Sequence, residues 1–209
     1  MIDFMMKHPE KLTEPLITHI RLVAVTLVIS VLLAAVLTVV AIRWEKTADV
    51  ILHFFSVIYS VPSLALFALL IPVTGLGTVS AVIVLTIYNQ YLLIRNFLTG
   101  IREVEPSVVE AAVGIGMTQM QVLWKIQLPL AKKAVFAGIR LAVVSTIGIG
   151  TIASCINAGG LGVLLFDGLR SMNVSKILWG SILSAGLAIL VNTILKALEN
   201  RVSRSIFIK

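Results

Sequence analysis

The chain has 209 residues, of which 58% are hydrophobic and 13% charged, with a mean hydropathy of +1.04 and a formal net charge of +7. A soluble domain carries about 25% charged residues, so most of this chain belongs in lipid. The basic residues flank apolar runs and act as topology signals, not as a nucleic-acid patch, and the single Cys155 excludes a disulfide framework or a cysteine metal cluster.

Residues 1–15 form a polar leader holding Asp3, Lys7, Glu10 and Lys11. No A-x-A-like site follows a short apolar core, so a cleaved signal peptide is not expected. Leu22 to Ile42 carries no charge, and a span needs about 20 apolar residues. The first span is therefore placed at about 20–42, followed by a short charged loop with Arg43, Glu45, Lys46 and Asp49.

From Val50 to Ile94 there is no Asp, Glu, Lys or Arg. At about 1.5 Å per residue that is roughly twice the ~30 Å hydrocarbon thickness, so it holds two spans. The turn composition of Pro72-Val73-Thr74-Gly75-Leu76-Gly77 divides them into about 50–71 and 78–95. A polar loop covers 96–133, and a fourth span covers 134–157. Ala158-Gly159-Gly160-Leu161-Gly162 breaks the fourth span, and residues 163–176 suggest a half-helix dipping back toward the membrane. A fifth span covers 177–196, and a basic tail ends the chain at 201–209. The fold class expected is an all-α integral membrane protein with five transmembrane helices.

Five spans put the two ends on opposite sides. The loops at 43–49 and 95–133 and the tail from Lys196 together carry 11 Lys and Arg, against 5 on the other side. The positive-inside rule then puts the long loop and the C-terminus in the cytoplasm and the N-terminus outside.

Few polar groups lie within the spans. Tyr59-Ser60-Val61-Pro62-Ser63 falls in the middle of the second span, where Pro62 frees the carbonyl of Ile58 and predicts a kink that serves as a gate hinge. Tyr88-Asn89-Gln90-Tyr91 places two amides in the third span, facing the protein interior or a polar path. The fourth span carries Ser145, Thr146, Thr151 and Asn157 among glycines. This is either close helix packing or the polar wall of a translocation path. Tyr59, Pro62, Tyr88, Asn89, Ser145, Thr146, Thr151 and Asn157 are the candidate path residues. Tyr59, Tyr88 and Tyr91 are the aromatics available to a quaternary ammonium ligand. Arg140 most simply snorkels to the cytoplasmic interface, the alternative being an ion pair that holds the polar loop.

No Asp or Glu lies inside a proposed span, which argues against an ion-coupled transporter. No G-x-x-x-x-G-K-[ST] is present, so ATP cannot bind here through a P-loop. His8, His19 and His53 show no metal spacing. No catalytic residue, metal or cofactor is expected on this chain, and it is not expected to be an enzyme.

The long loop has punctuation of its own. Pro106 suits a helix start, and Ser107-Val108-Val109-Glu110 reads as a capping box. Gly116 is placed to end the first short helix in a left-handed turn. Thr118-Gln119-Met120-Gln121 is a second capping box, opening a helix that Pro129 ends. Glu110, Ala111, Ala112, Gly116, Ile126, Leu128 and Pro129 stand at the spacing of the Glu-Ala-Ala loop of ABC importer permeases, and the chain resembles that family over roughly residues 16–200. Further stretches resemble its osmoprotectant subgroup: Tyr59 to Leu66, the turn from Leu70 to Gly77, Gly116-Met117-Thr118 with Gln121, Ala137 to Arg140, and Ala158 to Gly162.

The resemblance implies a type I ABC importer permease fold, like that of methionine importers. It implies that Glu110, Ala111, Ala112, Gly116, Ile126, Leu128 and Pro129 couple to a cytoplasmic ATPase. It also implies a second permease chain, with a similar partner favoured over a second copy of this one, and two ATPase subunits that hold ATP and Mg. An extracytoplasmic substrate-binding lipoprotein would complete the assembly in a bacterial cytoplasmic membrane. The cargo implied is glycine betaine, carnitine or choline. The alternatives are an amino acid such as methionine or, in a different class, a membrane scaffold without transport.

Overall fold

In a computed structural model that describes Met6 and residues 9–204, the chain is a helical bundle with no strand among the described residues. The start of the polar leader (residues 1–5, 7 and 8) and the end of the basic tail (205–209) lie outside the described residues. The helices are α1 (Glu10–Arg43), α2 (Glu45–Ser60), α3 (Ser63–Thr74), α4 (Thr78–Arg102), α5 (Pro106–Gly114) and α6 (Gln119–Val122). A π-helical turn at Leu123–Gln127 leads into α7 (Leu128–Leu130) and α8 (Lys132–Ile152). A 3-10 turn at Ala153–Ile156, then α9 (Gly162–Arg170) and α10 (Val174–Arg204), complete the chain.

Four helices, α1, α4, α8 with its 3-10 extension, and α10, are long and apolar enough to cross a membrane. α2 and α3 pass the same test only as a pair, which gives five spans among the described residues when the pair is counted as one broken span. The expected kink at Pro62 is a break, with the two halves bent by 100°. Proline forces the preceding residue out of the helical region, and Val61 (ψ 133) and Pro62 (ψ 132) are both extended. Two consecutive extended residues end α2 and start α3 in a new direction.

The helices also outrun the expected spans. α1 begins at Glu10, so residues 10–15 of the leader are helical and Leu12 is buried. The turn before α4 is narrower than expected, because α3 continues through Pro72 to Thr74. Gly75 (φ 76) and Gly77 (φ 113) make the reversal, and the Gly77 N–H donates to the Ile156 carbonyl at 2.7 Å. The half-helix expected within 163–176 is α9. It is tied to α10 by Lys176 Nζ donating to Asp167 Oδ2 at 2.5 Å, and the ammonium holds that carboxyl below the usual range.

α4 is the centre of the bundle: 61% of its most apolar window is buried, against 6% for α10. Two close approaches fix α8 against it. A Cβ added at Gly100 would lie 2.4 Å from the Ala134 Cβ, and one added at Gly138 would lie 2.8 Å from the Asn96 Cβ. Small residues permit this approach, which is the main source of helix association in lipid. His19 fastens the far end. Its Nδ1 accepts from the Leu161 N–H at 3.4 Å, so Nε2 carries the proton and donates to the Ile147 carbonyl at 3.2 Å. One buried imidazole thereby holds α1, α8 and the glycine-rich turn before α9.

Candidate functional site

The segment from Glu110 to Pro129 stands at one end of the bundle, between the ends of α4 and α8. α5 starts at Pro106, where the missing N–H leaves nothing unsatisfied. The expected Ser107–Glu110 capping box does not form. Pro106 sets the helix start, so Glu105 is the N-cap and Ser107 already lies inside the first turn. The Ser107 hydroxyl donates to the Glu105 carboxylate at 2.8 Å instead.

α5 ends as its sequence predicts. Gly116 is left-handed (φ 87), its N–H donates to the Val113 carbonyl at 2.9 Å, and the Met117 N–H donates to the Ala112 carbonyl at 3.1 Å. These two bonds make a Schellman stop. Thr118 and Gln121 then close a reciprocal capping box, at 2.8 Å from the Thr118 N–H to Gln121 Oε1 and 3.3 Å from the Gln121 N–H to Thr118 Oγ1.

Pro129 does not end the helix. Having no N–H, it cannot donate back to Lys125, and the chain meets that gap by widening. Residues 123–127 form a π turn, with the Leu128 N–H reaching the Leu123 carbonyl. The helix then passes through α7 and Ala131 into α8 with little interruption. The segment is therefore continuous with a spanning helix.

Its inner side is moored. Leu123 is buried with Ile101 and Ala131, against partly buried Val39 and Ile42. Arg43 Nη1 donates to Gln119 Oε1 at 3.0 Å. A cavity of about 500 Å³ remains between α1 and the hairpin, lined in part by Val39, Arg43, Val113, Gln119 and Met120. Of the signature residues, Ala112 is buried and Ile126, Leu128 and Pro129 are half-buried, while Glu110, Ala111 and Gly116 are exposed. Ile115 (82%) and Trp124 (55%) are exposed as well, as is Val113 (54%), which lines the cavity. An apolar edge of this kind outside the apolar spans marks a protein contact. Arg43, Gly100, Ile101 and Leu123 were not singled out from sequence, although Gly100 with Ala131, Ala134 and Gly138 shows the small-residue spacing of close helix packing.

The other candidates separate into groups. Asn89 and Thr146 are buried together: Asn89 Nδ2 donates to Ser30 Oγ at 3.1 Å and to Thr146 Oγ1 at 2.8 Å, joining α1, α4 and α8. Ser145 and Thr151 lie half-buried on α8, beside exposed Leu141, Val144 and Gly148. Asn157 is exposed and left-handed (φ 64), capping the 3-10 turn. Tyr59 and Tyr88 meet at the α2–α3 break with Pro62 beside them, and the Tyr88 hydroxyl donates to the Val61 carbonyl. Arg140, expected to snorkel, is instead paired with Glu199 of α10. Among the described residues no group of His, Cys, Asp and Glu has the spacing to hold a metal ion.

Residues 28–208 match the family described as binding-protein-dependent transport system inner membrane component. The choline transport system permease protein of Bacillus subtilis is 34% identical over 97% of this chain and 94% of its own length. The osmoprotectant import permease protein of Salmonella typhimurium is 32% identical over 95% of this chain and 94% of its own length. Among solved structures, the methionine ABC transporter in an inward-facing conformation superposes with a TM-score of 0.80 at 18% identity, over 93% of this chain and 95% of that one. The chain belongs to the family of binding-protein-dependent transport system inner membrane components.

Proposed function

We propose that this chain is the permease subunit of an ATP-driven importer of quaternary-amine osmoprotectants such as glycine betaine, carnitine or choline. The observation that carries the reading is the hairpin itself. Its apolar outer edge is exposed, and its second arm runs on through the π turn into α8, which packs closely on α4. A push on the hairpin is thereby transmitted to two spans. The relatives' names, which specify choline, glycine betaine and carnitine, support the cargo class over an amino acid.

In this reading Glu110, Ala111, Ala112, Gly116, Ile126, Leu128 and Pro129 engage a cytoplasmic ATPase. ATP and Mg reside on that subunit, and this chain is not catalytic. The hairpin and the C-terminus face the cytoplasm, the N-terminus faces outside, and a similar permease completes the pair. A binding lipoprotein delivers the cargo outside. Ser145 and Thr151 stand on the open side of α8 and line the path, whereas buried Asn89 and Thr146 brace the wall behind it.

The test is Gly116→Asp in the reconstituted assembly. The variant is expected to reach the membrane and to lose stimulation of ATP hydrolysis by loaded binding protein. Normal stimulation would sink the coupling assignment.

A further inference from the structure

Three tyrosines converge where the second span breaks. The Tyr59 ring lies 5.7 Å from that of Tyr88, edge to face, and 5.1 Å from that of Tyr91, tilted by 34°. Tyr88 is buried and latched to the Val61 carbonyl, whereas Tyr59 and Tyr91 are only half-buried. A cation already sits at this cluster. The Arg95 guanidinium carbon is 5.8 Å from the Tyr91 ring centroid, and Nη1 donates to the Tyr91 hydroxyl at 2.8 Å. Arg95 is itself exposed, so this contact is open to exchange.

A second source of negative potential lies close by. α2 stops at Ser60, one residue beyond Tyr59, and no basic residue lies in its last turn. The carbonyl end of a helix carries about half a negative charge. Tyr59 lies near the middle of the second span and Tyr91 one turn before Arg95, which ends the charge-free run of α4, so the cluster stands within the spans on the hairpin side. Transporter sites are commonly built within the membrane from the ends of discontinuous helices.

We propose that the Tyr59 and Tyr91 rings, with the carbonyl end of α2, form a transit site for a quaternary ammonium group, and that Arg95 is the resident cation it displaces. The identity of the cargo rests on the importer reading above. The chemistry suits it: a quaternary ammonium has no N–H to donate, and its charge is spread over methyl groups that aromatic faces and carbonyl dipoles meet well. No Asp or Glu occurs between Val50 and Ile94, so nothing there binds the cation too tightly to release it.

The test is equilibrium dialysis of tetramethylammonium against the reconstituted permease–ATPase complex without binding protein. Saturable binding is expected. Tyr91→Phe, which keeps the aromatic face and loses only the hydroxyl that holds Arg95, should bind at least as tightly as the parent, and Tyr91→Leu should bind about fivefold more weakly or worse. Arg95→Gln should bind more tightly, because the competing cation is gone. Equal weakening by Phe and Leu would reduce Tyr91 to a structural role, and an absence of saturable binding in the parent would overturn the site. If Tyr91→Leu fails to assemble with the ATPase, Tyr59→Leu against Tyr59→Phe decides in its place. Stimulation of ATP hydrolysis by choline-loaded binding protein is measured in parallel. A complex that ignores loaded binding protein refutes the cargo class. One that responds, with Leu and Phe variants binding alike, refutes only the tyrosine site.

Discussion

The Asn89 amide donates to the Thr146 hydroxyl at 2.8 Å in the middle of the bundle, and the Thr146 O–H donates in turn to the Ala142 carbonyl at 2.7 Å. The two residues belong to α4 and α8, the helices that flank the hairpin, and Ser30 brings in α1. An amide in lipid must find partners within the protein, so this contact fixes the rotation of three helices about their axes.

Asn89→Leu keeps the branched shape of the side chain and removes the contact, while Thr146 retains its bond to Ala142. Interhelical hydrogen bonds in membrane proteins average about 0.6 kcal/mol, with a maximum of about 1.7. The loss expected is about 1 kcal/mol, a fall of about 2–4 °C in the unfolding midpoint for a chain of this size. Thermal unfolding of the assembled complex in detergent measures it, and an unchanged midpoint would mean the knot is incidental.

At Gly100 the effect is steric. A methyl there would meet the Ala134 Cβ at 2.4 Å, so Gly100→Ala must push α4 and α8 apart next to the hairpin. Overpacking of this kind costs about 1–3 kcal/mol. The compensating double variant Gly100→Ala with Ala134→Gly should restore much of the loss. Failure of the double variant to recover both stability and ATPase co-purification would show that the approach is not the limiting contact.

The two capping boxes predicted from sequence have opposite fates, and substitutions should separate them. Thr118→Ala removes a formed cap and is expected to cost about 1 kcal/mol locally. It should raise the rate of proteolytic cleavage between Gly116 and Gln121. Ser107→Ala removes only a bond to an exposed carboxylate, and the cleavage pattern should not change.

This contrast marks the limit of what the sequence made legible. Spans are marked by missing charge over about 20 residues, a signal that survives any packing detail, and the Gly116 stop and the Thr118 cap depend only on neighbours within four positions. Ser107 failed as a cap because Pro106 had already fixed the start of the helix. The sharpness of the Val61–Pro62 break required two consecutive residues to leave the helical region, where one proline alone predicts a kink. Pro129 was read by its local rule, and the π turn that absorbs it is a property of the whole segment from Leu123. The meeting of Tyr59 with Tyr91 depends on that break and on how α2 then lies against α4.

Arg140 and Glu199 were beyond reach for the same reason, being 59 residues apart, with Glu199 beyond the expected end of the fifth span, where α10 in fact continues. Both side chains are mostly buried, at 23% and 14% exposure, so removing one leaves the other poorly solvated. Arg140→Gln or Glu199→Gln alone is expected to cost about 1–3 kcal/mol. Arg140→Gln with Glu199→Gln removes both charges and should cost less than either single change, because no unpaired charge remains. Unfolding midpoints of the four proteins close the cycle. If the double variant equals the sum of the singles, Arg140 and Glu199 act independently, and Arg140 reaches the interface on its own after all.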